Sequence, residues 1–101
     1  MRSYECMYIL TPDVADDNVE AVVAKYSAIV TDNGGEIIQA GLWDRGRRAL
    51  AYEIRRKREG IYILMLFKSD NTVPKELERI FGINADEVLR YLVTRSDGKE
   101  Q

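Results

Sequence analysis

The spacing of apolar residues switches repeatedly along the chain, and each switch marks the boundary of an element. YECMYIL (4–10) is rich in aromatic and branched residues and is stopped by Thr11-Pro12-Asp13, the signature of a strand. From about Ala15 to Asp32, Val19, Val22, Val23, Tyr26, Ile29 and Val30 recur at three- and four-residue spacing. That spacing predicts an amphipathic helix, with Asp16, Asp17 and Glu20 early, where acids suit the helix dipole, and Asn33-Gly34-Gly35 as its stop. EIIQAGLW (36–43) reads as a second strand. Beyond Gly46, Leu50, Tyr52 and Ile54 alternate with Ala49, Ala51 and Glu53, so this strand resumes after a kink or bulge. Gly60 opens a third strand, IYILMLFK (61–68). Asp70 to Pro74 make a turn, and Val73, Leu77, Ile80 and Phe81 form the stripe of a short helix from about Pro74 to Phe81. VLRYLVTR (88–95) is the last strand, before a polar tail, Ser96 to Gln101.

Strand, helix, strand, strand, helix, strand is the ferredoxin-like βαββαβ order, an α+β fold with a four-stranded antiparallel sheet and both helices on one face. Residues 1–95 form one such domain and 96–101 a short tail. In the third strand Ile61, Ile63, Met65 and Phe67 share one face, and Tyr62, Leu64, Leu66 and Lys68 the other. Both sets are mostly apolar, whereas a sheet with one wet face alternates apolar with polar. The helix-free face therefore reads either as the far side of a thick core or as a surface that meets a partner. Met7 and Ile9 of the first strand, and Arg90, Leu92 and Thr94 of the last, join it; Tyr4, Cys6, Tyr8, Leu10, Leu89, Tyr91 and Val93 turn toward the helices.

Charge changes this picture in one place. The net charge is −2. However, RGRRALAYEIRRKREG (45–60) holds Arg45, Arg47, Arg48, Arg55, Arg56, Lys57 and Arg58 against only Glu53 and Glu59, a local +5 within a remainder of −7. Clustered Arg matches a phosphate backbone through bidentate hydrogen bonds and counterion release, and in a loop between strands it follows an irregular RNA surface without entering a groove. The bland alternative is a solvated hairpin that aids solubility, although such a hairpin intersperses signs more evenly. An anionic membrane fits less well, because the run has no apolar helical face to insert.

Other chemistry recedes. A chain of 101 residues is long enough for one core without staples, and a single cysteine, Cys6, allows no internal disulfide. No run approaches the roughly 18 apolar residues of a membrane helix, and MRSYECMYIL lacks the regions of a secretory signal. The expectation is a soluble cytoplasmic protein. Histidine is absent, which removes the commonest general base and metal ligand. Asp13, Asp16 and Asp17 lack calcium-loop spacing and suit a helix start instead. Cys6 has no histidine to activate it and reads as packing. Asn33-Gly34-Gly35 follows a helix instead of opening one, so it is a cap and no phosphate loop. The expectation is no enzyme, no metal and no cofactor. Against the RNA-recognition motif, Arg58-Glu59-Gly60 leads into Ile61, Tyr62, Ile63 and Leu64; Tyr62 alone is a poor stacking platform, and an aliphatic face suits a protein partner better than bases.

Arg2-x-Tyr4-Glu5, then Trp43 followed by Gly46-x-Arg48-x-Leu50-Ala51-Tyr52-x-Ile54, then Gly60-x-Tyr62 leading into an apolar strand, resembles the bacterial small-subunit ribosomal protein six family along nearly the whole chain. Ala49 stands where that family often has a second basic residue, with Arg47 as a compensating neighbour, and the long acidic tail of some members is absent. The resemblance implies a structural protein of the small ribosomal subunit that binds the central domain of 16S ribosomal RNA together with ribosomal protein eighteen of that subunit during platform assembly. On this basis the RNA-facing residues are Arg2, Arg45, Arg47, Arg48, Arg55, Arg56, Lys57, Arg58 and Arg90. The partner-facing patch is Met7, Ile9, Tyr62, Leu64, Leu66 and Leu92. A ferredoxin-like regulatory module that binds a small ligand or pairs with itself through the open sheet is the alternative; it explains the apolar face but not the basic run.

Overall fold

A computed structural model describes residues 1–96; of the tail expected at 96–101, only Ser96 lies among them. The order is β1 (Arg2–Leu10), a 3-10 turn (Asp16–Asn18), α1 (Val19–Asp32), β2 (Glu36–Ile54), β3 (Lys57–Ser69), α2 (Thr72–Ile83) and β4 (Val88–Arg95). The four strands form one antiparallel sheet in the order β2-β3-β1-β4, the expected α+β arrangement.

The core lies between the sheet and the two helices. Tyr4, Cys6, Tyr8 and Leu10 of β1 and Ile61, Ile63, Met65 and Phe67 of β3 are buried against Tyr26 and Val30 of α1 and Val73, Leu77 and Phe81 of α2. At its centre the rings of Tyr8, Tyr26 and Phe81 meet with centroids 4.9–5.4 Å apart. Alternation therefore assigned the two faces of β1 and β3 as the structure has them. In β4 the register shifts between Ile9 and Leu10, so Leu89 is the extra residue of a bulge and both Val88 and Leu89 are buried. Arg90 and Leu92 keep the open side.

Several boundaries differ from the sequence expectation. α2 begins at Thr72, not Pro74, because the Asp70 carboxylate accepts the Thr72 N–H at 2.9 Å and starts the helix, and Pro74 is tolerated in the first turn. β3 begins at Lys57, before Gly60. The basic run is thus no loop: β2 and β3 pair through it and are joined by a two-residue turn at Arg55 and Arg56, both left-handed at φ 47° and 69°.

One polar latch ties the layers together. The Glu87 carboxylate, in the α2–β4 connection, accepts hydrogen bonds from Lys25 Nζ and the Tyr26 hydroxyl, each 2.6 Å, and its backbone carbonyl accepts from Thr11 N at 2.8 Å. Burial pushes this carboxyl up, but the two hydrogen bonds and the Lys25 charge outweigh it, so the net shift is below the usual 4.5. A depressed folded value places the latch's contribution above the unfolded pKa and removes it as pH falls through the folded one. Glu87→Gln is therefore expected to cost about 1 kcal/mol at pH 7 and to flatten the loss of stability on acidification below about pH 4.5, in urea titrations at several pH values.

Candidate functional site

The hairpin of β2 and β3 runs beyond the body of the sheet, and its bends decide where each charge goes. β2 breaks register between Leu42 and Arg47, where Asp44 (φ 58°) and Gly46 (φ 85°) are left-handed, and again between Ala49 and Ile54. At Gly60 the backbone passes so close to β1 that a Cβ there would lie 2.4 Å from Ile9 Cγ2. The far half of the hairpin consequently folds over the helix-free face. Leu50, Tyr52 and Ile54 of β2 line a recess of about 200 Å3 with Ile9, Tyr62 and Arg90, which belong to the three other strands.

The seven basic residues of the run divide between two sides. On the helix side Arg47 is held by three acceptors: Asp16 Oδ1 at 2.9 Å, Pro12 O at 3.0 Å and Val14 O at 2.7 Å. Lys57 Nζ reaches Asp13 Oδ2 at 2.7 Å, and that hydrogen bond and charge hold the Asp13 carboxyl below its usual range. The expected helix-start acids thus brace the hairpin from below. Arg45 lines a shallow recess on this side with Asp16 and Leu42.

On the open side Arg48 places its guanidinium 4.7 Å from the Trp43 ring centroid and 5.6 Å from that of Tyr62, with Asp44 at 3.8 Å. Arg58 is 90% exposed and 3.5 Å from Glu53. Arg55 and Arg56 project from the tip, both exposed. Arg90 joins the group from β4, with its guanidinium 5.4 Å from the Tyr52 centroid. Arg2 does not. It pairs with Ser69 at the opposite end of β1 from Leu10, roughly 27 Å away at strand rise, beside Asp70 and Asn71.

The apolar residues of the open face fall into cross-strand rows. Ile9, Tyr62 and Arg90 form the row under the hairpin; Met7, Leu64 and Leu92 form the next; Leu66 follows, flanked by Glu5 and Gln39, with Thr94 beyond Glu5. Met7, Ile9, Tyr62, Leu64 and Leu66 are half-buried, and Leu92 is 65% exposed. Tyr62 does not stand alone, since Trp43 lies 5.9 Å away, centroid to centroid, and Tyr52 shares its recess. Sequence reasoning missed this group because it weighed Tyr62 alone, without the bend that carries the resumed part of β2 over the open face. The alternation of Leu50, Tyr52 and Ile54 was the available signal.

The Cys6 thiol is pushed up to about 12, first by burial and then by the Glu78 charge. Among the described residues no three acids or cysteines gather as metal ligands, and no helix is long and apolar enough to cross a membrane.

Comparison with known proteins gives one answer. The family model described as Ribosomal protein S6 matches residues 3–95. The small ribosomal subunit protein bS6 of Thermoanaerobacter pseudethanolicus is 47% identical over 97 residues, which cover 96% of this chain and 99% of that protein. That of Moorella thermoacetica is 42% identical over 95 residues, 94% of each. The crystal structure of 30S ribosomal protein S6 from Thermotoga maritima superposes with a TM-score of 0.86 at 30% identity, covering 98% of this chain and 91% of that one.

Proposed function

This chain belongs to the ribosomal protein S6 family, and from that premise we propose that it binds the central domain of 16S ribosomal RNA as a heterodimer with ribosomal protein eighteen. It is a non-enzymatic, structural protein of the small ribosomal subunit, in the bacterial cytoplasm, and serves translation as part of a ribonucleoprotein. The observation that carries the finer reading is the division of the hairpin. Arg47 and Lys57 are consumed by the protein's own acceptors, whereas Arg55 and Arg56 at the tip and Arg48 and Arg58 on the open side project with incomplete counter-charge beside an apolar face.

The RNA-facing set is Arg48, Arg55, Arg56 and Arg58, extended by Arg90 on the open side and by Arg45 at the helix-side edge of the hairpin. Arg47 and Lys57 shape this surface from behind, and Arg2 is a separate, distant contact. Met7, Ile9, Tyr62, Leu64, Leu66 and Leu92 face the partner. Assembly runs in two steps: apolar and charge-complementary contact forms the pair, and the joint basic surface then captures folded RNA by shape and phosphate contacts.

Filter binding of a 16S central-domain fragment at two salt concentrations, with and without ribosomal protein eighteen, tests the proposal. Tight, salt-sensitive capture that requires the partner is the expected result; no capture in either arm by folded proteins overturns it. In the same assay Leu64→Asp places a carboxylate in the middle of the apolar row, and pairing is expected to weaken by roughly 3 kcal/mol, on the order of 100-fold. Unchanged pairing by the folded variant would move the partner to another face.

A further inference from the structure

The apolar rows and the basic hairpin do not simply abut. Between them lies the recess of about 200 Å3 under the hairpin, and its composition differs from both neighbours. Ile9, Leu50 and Ile54 give it aliphatic walls, Tyr62 supplies a half-buried ring, and Tyr52 stands over it 59% exposed, with the Arg90 guanidinium against its ring. An exposed tyrosine held out by a bent strand, its face met by an arginine from β4 although β3 and β1 lie between the two strands, is unneeded for the core on the other side of the sheet.

We propose that this recess is a subsite for one unpaired nucleobase of the bound RNA, stacked on Tyr52 with the Arg90 guanidinium on the same stack. The inference rests on the RNA-binding reading above and deepens it. Unpaired bases are held by aromatic and guanidinium planes because every base presents a π-face, while the sugar-phosphate on either side needs cations within reach. Both conditions meet here: Arg90 lines the recess, and Arg58 leaves the same hairpin on its open side 90% exposed. The recess is also smaller than the about 300–1,000 Å3 pockets that take whole small-molecule ligands, which favours a single ring. An aliphatic side chain of a protein partner would match the walls but would leave the Tyr52–Arg90 pair and the surrounding positive charge without a role. Such a side chain fits better one row down, at Met7, Leu64 and Leu92, where all three residues of the row are apolar.

The test uses the whole chain with an equimolar amount of ribosomal protein eighteen. Its probes are a nine-nucleotide uridine oligomer and an abasic ribose-phosphate oligomer of the same length and charge, with binding read by fluorescence anisotropy. The base-bearing oligomer is expected to bind about tenfold more tightly. Tyr52→Leu should bring that ratio close to one, and Tyr52→Phe should retain it. A ratio near one in the unmodified protein, with salt-dependent binding of both oligomers, overturns the subsite while leaving RNA binding in place. Binding of neither oligomer, together with no capture of the 16S fragment, overturns both. A Tyr52→Leu variant that loses ribosomal protein eighteen yet keeps the tenfold ratio assigns the recess to the protein partner and overturns the subsite.

Discussion

Replacing Arg55 by Asn and Arg56 by Gly is expected to move stability and RNA affinity in opposite directions. Both residues hold left-handed backbone, at φ 47° and 69°. For a side chain with a Cβ this costs roughly 1–2 kcal/mol per residue, whereas Asn-Gly is the pair that suits a two-residue hairpin turn. Gly also carries more chain entropy to lose, so a net gain of about 1 kcal/mol remains, or a thermal midpoint about 4–8 °C higher for a domain of this size. RNA capture should weaken, with the log-log salt slope shallower by up to about two, one per lost phosphate contact. Calorimetry and filter binding on the same preparation check both signs. A higher midpoint with an unchanged slope would remove the tip from the RNA surface. A lower midpoint would mean that the turn draws support from the arginines themselves.

This variant also explains why the tip was hidden in the sequence. A hairpin turn is normally announced by Asn-Gly or Asp-Gly, and here two arginines occupy the positions, so the run read as a charged loop. The strands were legible because YECMYIL, IYILMLFK and VLRYLVTR are runs rich in aromatic and branched residues. Period two then grouped Tyr4, Cys6, Tyr8 and Leu10, and Ile61, Ile63, Met65 and Phe67, each on one face, although both faces of β3 are mostly apolar. The β4 bounds, 88–95, were read in the same way, whereas its bulge at Leu89 was not. The inward bend of the hairpin was not legible, because it depends on contacts far apart in the chain, such as Gly60 beneath Ile9 and Tyr52 against Arg90. Period-two patterning records which side of a strand is apolar; it carries nothing about where a bulge then aims the strand.

The division of labour within the basic run yields the second large effect. Arg47→Met keeps most of the side-chain stem but removes the guanidinium that donates to Asp16 and to the carbonyls of Pro12 and Val14. Hydrogen bonds from a charged donor are worth about 1.5–3 kcal/mol when shielded, and this side chain is 35% exposed, so water recovers part of the loss. The expected cost is about 1–2 kcal/mol, which lowers the midpoint by roughly 5–10 °C. The salt slope of RNA capture should stay where it was, since an arginine already spent on three internal acceptors neutralises no phosphate. Its mirror is the tip variant, which loses slope and gains stability, although both changes remove arginine from a single stretch of 16 residues, 45–60. Measured together, the two separate a surface from a brace. If Arg47→Met lowers the slope as much as removal of one tip arginine does, the brace must open when RNA arrives. Asp13 and Asp16 would then act as internal stand-ins for phosphate, and a variant with both changed to Asn would bind RNA more tightly despite folding less stably.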